Sequence, residues 1–162
     1  ASFIGEPPIT GYDVSGRKIA YAGDINGDGY DDILIGAEGN DEGGSGAGQV
    51  YLFFGKSLGW SMDLNCSHAN VSFFGEANQD RFGSYLATLG DVNGDNSYDF
   101  IISATGNDDG GENAGKTYLL NLDNFSPSND PNNPISSYNL IFLLGIFSIF
   151  IVLITKYKVK RK

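Results

Sequence analysis

The chain has 162 residues, with 20 acidic and 10 basic side chains and a net charge of −10 at neutral pH. All 20 acids lie at or before Asp130, whereas the last seven residues carry five of the bases. An acidic domain repels nucleic acid, and the one cysteine, Cys66, cannot form an internal disulfide. A nucleic-acid-binding role and a disulfide scaffold are therefore excluded.

Short apolar runs separated by glycine-rich turns fill most of the chain before the acids end. Runs of this length and spacing predict β-strands. In chain order, strands are predicted at residues 2–4, 17–22, 32–37, 48–54 and 71–74, with three more between residues 83 and 122. Residues 55–70 are predicted to be irregular. The sequence therefore predicts an all-β domain.

An acidic loop follows the second predicted strand and recurs later in the chain. The first copy runs from Asp24 to Asp32 and the second from Asp91 to Asp99. Each places side-chain oxygens at loop positions 1, 3, 5 and 9, and the main-chain carbonyl of position 7 adds another donor. Calcium takes six to eight oxygen ligands, so each loop predicts a calcium site. The predicted ligands are Asp24, Asn26, Asp28, Tyr30 and Asp32, then Asp91, Asn93, Asp95, Ser97 and Asp99.

Position 6 of each loop must turn sharply, which predicts a left-handed backbone at Gly29 and Asn96.

Three interpretations of the loops compete. An EF-hand needs a glutamate at position 12, but Ile35 and Ile102 stand there and no helical pattern flanks either loop. A dockerin-like pair would also need helices and a closer repeat. A plain turn that binds nothing is the third, and the matching spacing of two loops favours metal sites over it.

The loops belong to a longer internal repeat. Residues 16–54 align with residues 83–121 without a gap, at an offset of 67 residues. Further upstream, Phe3-Ile-Gly5-Glu6 matches Phe73-Phe-Gly75-Glu76. A unit of this length with about four short strands is typical of one propeller blade. Before the first copy, the sequence predicts only one strand, at residues 2–4, which corresponds to the fourth strand of a preceding blade. After the second copy, no fourth strand is predicted.

The pair Phe82-Gly83, followed by Gly90-Asp91-Val-Asn93-Gly-Asp95 and an apolar strand, resembles the FG-GAP repeat. The resemblance covers roughly residues 1–122 and implies two blades of a β-propeller like the one at the head of integrin α subunits. Two elements depart from the pattern. Ser15-Gly16 replaces Phe-Gly in the first copy, and the Gly-Ala-Pro element reads 36–38 Gly-Ala-Glu and 103–105 Ser-Ala-Thr.

The C-terminal quarter has a different character. Residues 123–137 form a Pro/Asn/Ser-rich linker with too little apolar surface to fold alone. Residues 138–155 are predicted to be a transmembrane helix, because Leu140 to Ile154 carries no charge and tyrosines flank the segment. The basic tail, residues 156–162, places the C-terminus in the cytoplasm and the blades outside the cell.

No catalytic motif accompanies these features, so the chain is predicted not to be an enzyme. We expect a membrane-anchored, calcium-binding extracellular module for adhesion-type or protein–protein recognition, with an unidentified macromolecular surface ligand. Two alternatives are a propeller appendage of a surface hydrolase with an upstream catalytic part, and a purely structural cell-envelope component. Two blades do not close a ring, so both outer faces are expected to be exposed until further blades or further copies cover them.

Overall fold

The computed structural model describes residues 1–9 and 11–121. The predicted linker, transmembrane helix and basic tail lie outside the described residues. Within the described ranges, no helix has the length and apolar character needed to cross a membrane. The described residues contain nine strands and one short 3-10 helix, in the order β1 (Phe3–Ile4), β2 (Lys18–Gly23), β3 (Asp32–Ala37), β4 (Gln49–Phe53), β5 (Leu64–Asn65), the 3-10 helix (Cys66–His68), β6 (Val71–Phe74), β7 (Phe82–Gly90), β8 (Asp99–Ala104) and β9 (Lys116–Asn121).

Seven of the nine strands form two blade-like antiparallel sheets, as predicted. The first sheet has four strands in the order β2-β3-β4-β6, and the second has three in the order β7-β8-β9. Their registers match across the repeat, since Lys18 pairs with Gly36 in one sheet and Tyr85 pairs with Ser103 in the other. The all-β prediction and the blade pattern are confirmed. Neither sheet closes on itself among the described residues.

A shared hydrophobic core holds the two sheets together. It includes residues from both, among them Leu34 at 2 % exposure, Phe100 at 1 % and Ile102 at 1 %. The rings of Phe82 and Tyr118 meet edge to face, with centroids 5.3 Å apart. Burial of this apolar area is the main force that fixes one blade against the other.

The other face of the first blade is covered by the chain itself, which corrects the expectation that both outer faces are exposed. Tyr51 and Phe53 on this face are 0 % and 1 % exposed. The ring of Phe3 lies 4.8 Å from that of Phe53 and 5.6 Å from that of Trp60. The indole N–H of Trp60 donates to the carbonyl of Phe54 at 3.0 Å. Since Val50 and Leu52 on the opposite face lie in the core shared by the blades, all five residues of β4 are buried.

The segment predicted to be irregular supplies part of this cover. Its strand β5 pairs in parallel with β1, with Phe3 opposite Leu64. The following 3-10 helix begins after Asn65, whose side-chain oxygen accepts from the N–H of Ser67 at 2.8 Å. Cys66 packs inward at 1 % exposure, and burial raises the pKa of its thiol to about 11. This thiol is therefore protonated at neutral pH and has a structural role.

Candidate metal-binding loops

Each predicted loop joins the first two strands of a blade. The first connects β2 to β3 and the second connects β7 to β8. In both blades the pairing shifts register at the strand end, next to Gly23 and Gly90. The shift lets the chain leave the sheet and curl back within eight residues.

Hydrogen bonds to the backbone hold the first loop in this curl. Both carboxylate oxygens of Asp24 accept, one from the N–H of Asp28 at 3.0 Å and one from the N–H of Gly29 at 2.8 Å. Asn26 accepts from the N–H of Asp28 at 3.0 Å, and Asp28 accepts from the N–H of Tyr30 at 2.9 Å. The side chains at loop positions 1, 3 and 5 thus turn toward the inside of the loop.

The second loop repeats this pattern residue by residue. Asp91 accepts from the N–H groups of Asp95 and Asn96 at 3.0 and 2.8 Å. Asn93 accepts from the N–H of Asp95 at 3.0 Å, and Asp95 accepts from the N–H of Ser97 at 2.6 Å. The two loops therefore share one conformation as well as one spacing.

The left-handed backbone predicted at position 6 is present in both loops. Gly29 has φ of +87° and Asn96 has φ of +70°. Glycine adopts this conformation freely, and asparagine is one of the few other residues that tolerate it. The substitution of asparagine for glycine at position 6 is therefore compatible with the same turn.

The aspartate at position 9 is the most deeply buried member of each set. Asp32 is 0 % exposed and Asp99 is 1 % exposed. The carboxylate of Asp32 accepts from the N–H of Gly55 at 2.7 Å and from the N–H of Ile25 at 2.9 Å. In Asp99, one oxygen accepts from Val92 at 2.8 Å, and the other has no hydrogen-bond partner among the described residues.

Negative charge accumulates in the first loop. Desolvation is the main effect that raises the pKa of Asp32, and the carboxylates of Asp28 and Asp24 raise it further, against the lowering effect of the two N–H donors. Three carboxylates that repel one another favour a positive charge between them. The donor chemistry, carboxylate and amide oxygen, fits calcium.

The described residues contain no group of three or more His, Cys, Asp or Glu side chains gathered so that it could hold a metal ion. The amide of Asn26 donates to Asp28 at 2.9 Å, and that of Asn93 donates to Asp95 at 2.7 Å. These contacts occupy oxygens that a metal would need. A metal would therefore require the amides to rotate, and the ligand sets stay a prediction.

A buried polar network, which was not predicted from the sequence, lies at the opposite end of the blades. The amide of Asn40 donates to Asp13 at 2.7 Å, and in the second copy the amide of Asn107 donates to Asp80 at 3.3 Å. All four residues are buried. The signal was present in the sequence, because both pairs keep the 67-residue offset of the repeat.

Comparison with known proteins agrees with the fold. The FG-GAP repeat family model matches residues 19–53, which include β2, the first loop, β3 and β4. Integrin alpha-PS2 of Drosophila melanogaster is 33 % identical over 142 residues, which cover 80 % of this chain and 10 % of the relative. Integrin alpha-M of Mus musculus is 32 % identical over 91 residues, which cover 56 % of this chain and 8 % of the relative. The chain thus spans about a tenth of the length of these relatives. It is an FG-GAP repeat protein, similar in sequence to integrin α chains.

Proposed function

We propose that this chain is an integrin-like recognition module of the cell surface, non-catalytic and braced by calcium in its two acidic loops. The repeated loop carries the proposal: the same oxygens recur in the same hydrogen-bonded turn in both blades. A cation between the carboxylates of one loop would offset their mutual repulsion. The loop would then be rigid, and the strand pair that it joins would be fixed.

Calcium would be held by the oxygens at positions 1, 3, 5 and 9 together with the carbonyl at position 7. The buried carboxylates of Asp32 and Asp99 would anchor the ion to the blade core, since each also accepts a backbone N–H. Rotation of the Asn26 amide would release Asp28 for the metal. In the second loop the amides of both Asn93 and Asn121, which donate to the same oxygen of Asp95 at 2.7 and 3.0 Å, would have to move.

A calorimetric titration of the full chain in detergent tests the proposal. We expect calcium binding with Kd of roughly 10⁻⁴–10⁻³ M, as in other extracellular modules. Asp28→Ala should remove one site and Asp95→Ala another. Calcium at about a hundred times Kd should stabilise the parent by about 2.7 kcal/mol for each occupied site.

Asp31→Ala is the matched control, because it removes one charge from the first loop at position 8. Its carboxylate accepts from the hydroxyl of Tyr21 at 2.8 Å and is not a predicted ligand. This variant should bind calcium as the parent does. An Asp28→Ala, Asp95→Ala double variant with unchanged stoichiometry would show that the loops are only turns.

The membrane anchor and its orientation are part of the same proposal. Five bases among residues 156–162 resist translocation, whereas acids contribute little to topology. Protease added to intact cells is expected to remove the blades and to leave a C-terminal tag protected. A tag that is digested together with the blades, without permeabilisation, would overturn this topology.

The partner would be a macromolecule at the surface, bound through exposed loops, and further blades would extend the propeller. Exposed apolar side chains on β7 support the expectation of further blades, since Tyr85 is 59 % exposed and Leu89 is 41 % exposed. The neighbouring blades would come from a longer chain or from further copies. Rings of this kind normally contain four to eight blades.

A further inference from the structure

A lysine in the second blade forms ion pairs with two acidic side chains. The ammonium of Lys116, at the start of β9, lies 2.8 Å from a carboxylate oxygen of Glu76 and 2.8 Å from one of Asp109. It also lies 5.0 Å from the ring centre of Tyr118. One positive charge thus joins the segment before β7 to the loop between β8 and β9.

The equivalent residue of the first blade is Gln49. Gln49 pairs with Ala37 as Lys116 pairs with Ala104, so the two occupy the same register position. Gln49 is 3 % exposed, and its side-chain oxygen has no hydrogen-bond donor in the part of the chain that the structure describes. A buried carbonyl oxygen without a partner is unusual in a folded protein.

The acidic neighbours of the lysine are retained in the first blade. Glu6 takes the repeat position of Glu76, and Glu42 takes that of Asp109. The N–H of Glu42 donates to Asn40 at 2.8 Å, as the N–H of Asp109 donates to Asn107 at 3.1 Å. The loop that carries the second acid therefore has the same local geometry in both blades.

The buried amide points to the side of the sheet where these acids lie. Side chains two residues apart share a face of a strand, so Gln49 lies on the face of Tyr51, as Lys116 lies on that of Tyr118. Burial, followed by the charges of Asp13 and Glu6, raises the pKa of the Tyr51 hydroxyl. The Glu6 carboxylate is thus next to the tyrosine on this face, and a neutral amide stands where the second blade has an ammonium.

We propose that Gln49, with the carboxylates of Glu6 and Glu42, binds a calcium ion that takes the place of the Lys116 ammonium. Two carboxylates balance one divalent charge, and the amide oxygen gains the partner that it lacks. Water would complete the coordination, since Glu42 is exposed. The site lies at the end of β3 opposite to the acidic loop, about 17 Å away at roughly 3.3 Å per residue. It is therefore independent of the loop sites proposed above.

The test exchanges the two side chains and counts calcium bound to the full chain in a potassium chloride background. In the Asp28→Ala, Asp95→Ala double variant we expect one calcium ion to remain. Adding Gln49→Lys should remove that ion, because the ammonium replaces it. Adding Lys116→Gln instead should create a second site. Gln79→Lys, which adds the same charge at an exposed position, should leave the count unchanged.

The proposal is overturned if the double variant binds no calcium, or if its ion survives Gln49→Lys. The reciprocal Lys116→Gln exchange guards against a result caused by misfolding of Gln49→Lys, since failure to gain an ion there also counts against the site. Failure of the loop sites is a separate result. It would appear as a single ion in the parent that the loop substitutions leave in place and Gln49→Lys removes.

Discussion

Phe100→Ala is expected to lower the free energy of unfolding by about 3–5 kcal/mol, the range for a large buried aromatic side chain. Phe100 is 1 % exposed and belongs to the core shared by the two blades. Total stabilities of single domains are about 5–15 kcal/mol, so this loss is a large fraction. The substitution leaves a cavity at the junction, and the blades should lose their mutual support.

Urea unfolding of the parent and the variant, followed by tyrosine and tryptophan fluorescence, measures the effect. The two blades should unfold in one cooperative transition in the parent, because they share a core. Leu58→Ala is the control, since Leu58 is 95 % exposed and its truncation should change stability by no more than about 0.5 kcal/mol. A Phe100→Ala variant as stable as Leu58→Ala would mean that the blades do not pack as described.

Much of the fold was predictable because local pattern and repeat agree. The apolar runs at β3 and β8 follow loops of identical spacing, so an error in one copy would have conflicted with the other. The predicted bounds of β3, Asp32–Ala37, match the structure, and those of β2 and β4 differ by about one residue. The turn residue at position 6 was also predictable, because few side chains tolerate a positive φ.

The cover over the first blade could not be predicted from local pattern. Leu64–Asn65 is too short to show alternation, and its pairing with Phe3–Ile4 joins segments far apart in the sequence. Such a contact depends on tertiary packing, here on the Phe3, Phe53 and Trp60 rings. The sequence alone therefore placed an exposed face where the structure has a buried one.

The candidate sites divide in the same way. Ligand spacing in the acidic loops is a property of the sequence, whereas the direction of each amide and the burial of Asp32 are properties of the fold. The exchange of lysine for glutamine between Lys116 and Gln49 is visible in the aligned repeats. Its meaning depends on the burial of the glutamine oxygen, which only the structure provides.

The second large effect on stability is expected from substitution of a glycine that occurs at equivalent positions in the two blades. A Cβ atom added to Gly106 would lie 2.0 Å from the carbonyl oxygen of Gln79, and one added to Gly39 would lie 1.9 Å from that of Tyr12. Each glycine also donates its N–H to the residue that follows the one its Cβ would strike. The N–H of Gly106 donates to the carbonyl of Asp80 at 3.0 Å, and that of Gly39 donates to the carbonyl of Asp13 at 3.3 Å. The backbones touch because no side chain separates them.

Gly106→Ala should therefore push the segment before β7 away from the second blade. Overpacking of this kind costs typically about 1–3 kcal/mol, and a clash with backbone belongs at the upper end because no side chain can rotate away. The bond from Asn107 to Asp80, 3.3 Å long, lies next to the clash and should be lost with it. Amide exchange near residues 79–82 should accelerate together with the fall in unfolding free energy.

Gly110→Ala provides the matched control within the same loop. The nearest atom to its added Cβ would be the Cβ of Ala114 at 3.2 Å, and its backbone does not have a positive φ. A small adjustment of that contact suffices, and alanine also reduces the entropy of the unfolded chain, so the change in stability should be less than about 1 kcal/mol. Equal stabilities for the Gly106→Ala and Gly110→Ala variants would contradict the close backbone contact. A large loss confined to Gly106→Ala would establish that glycine is required there for the junction between blades.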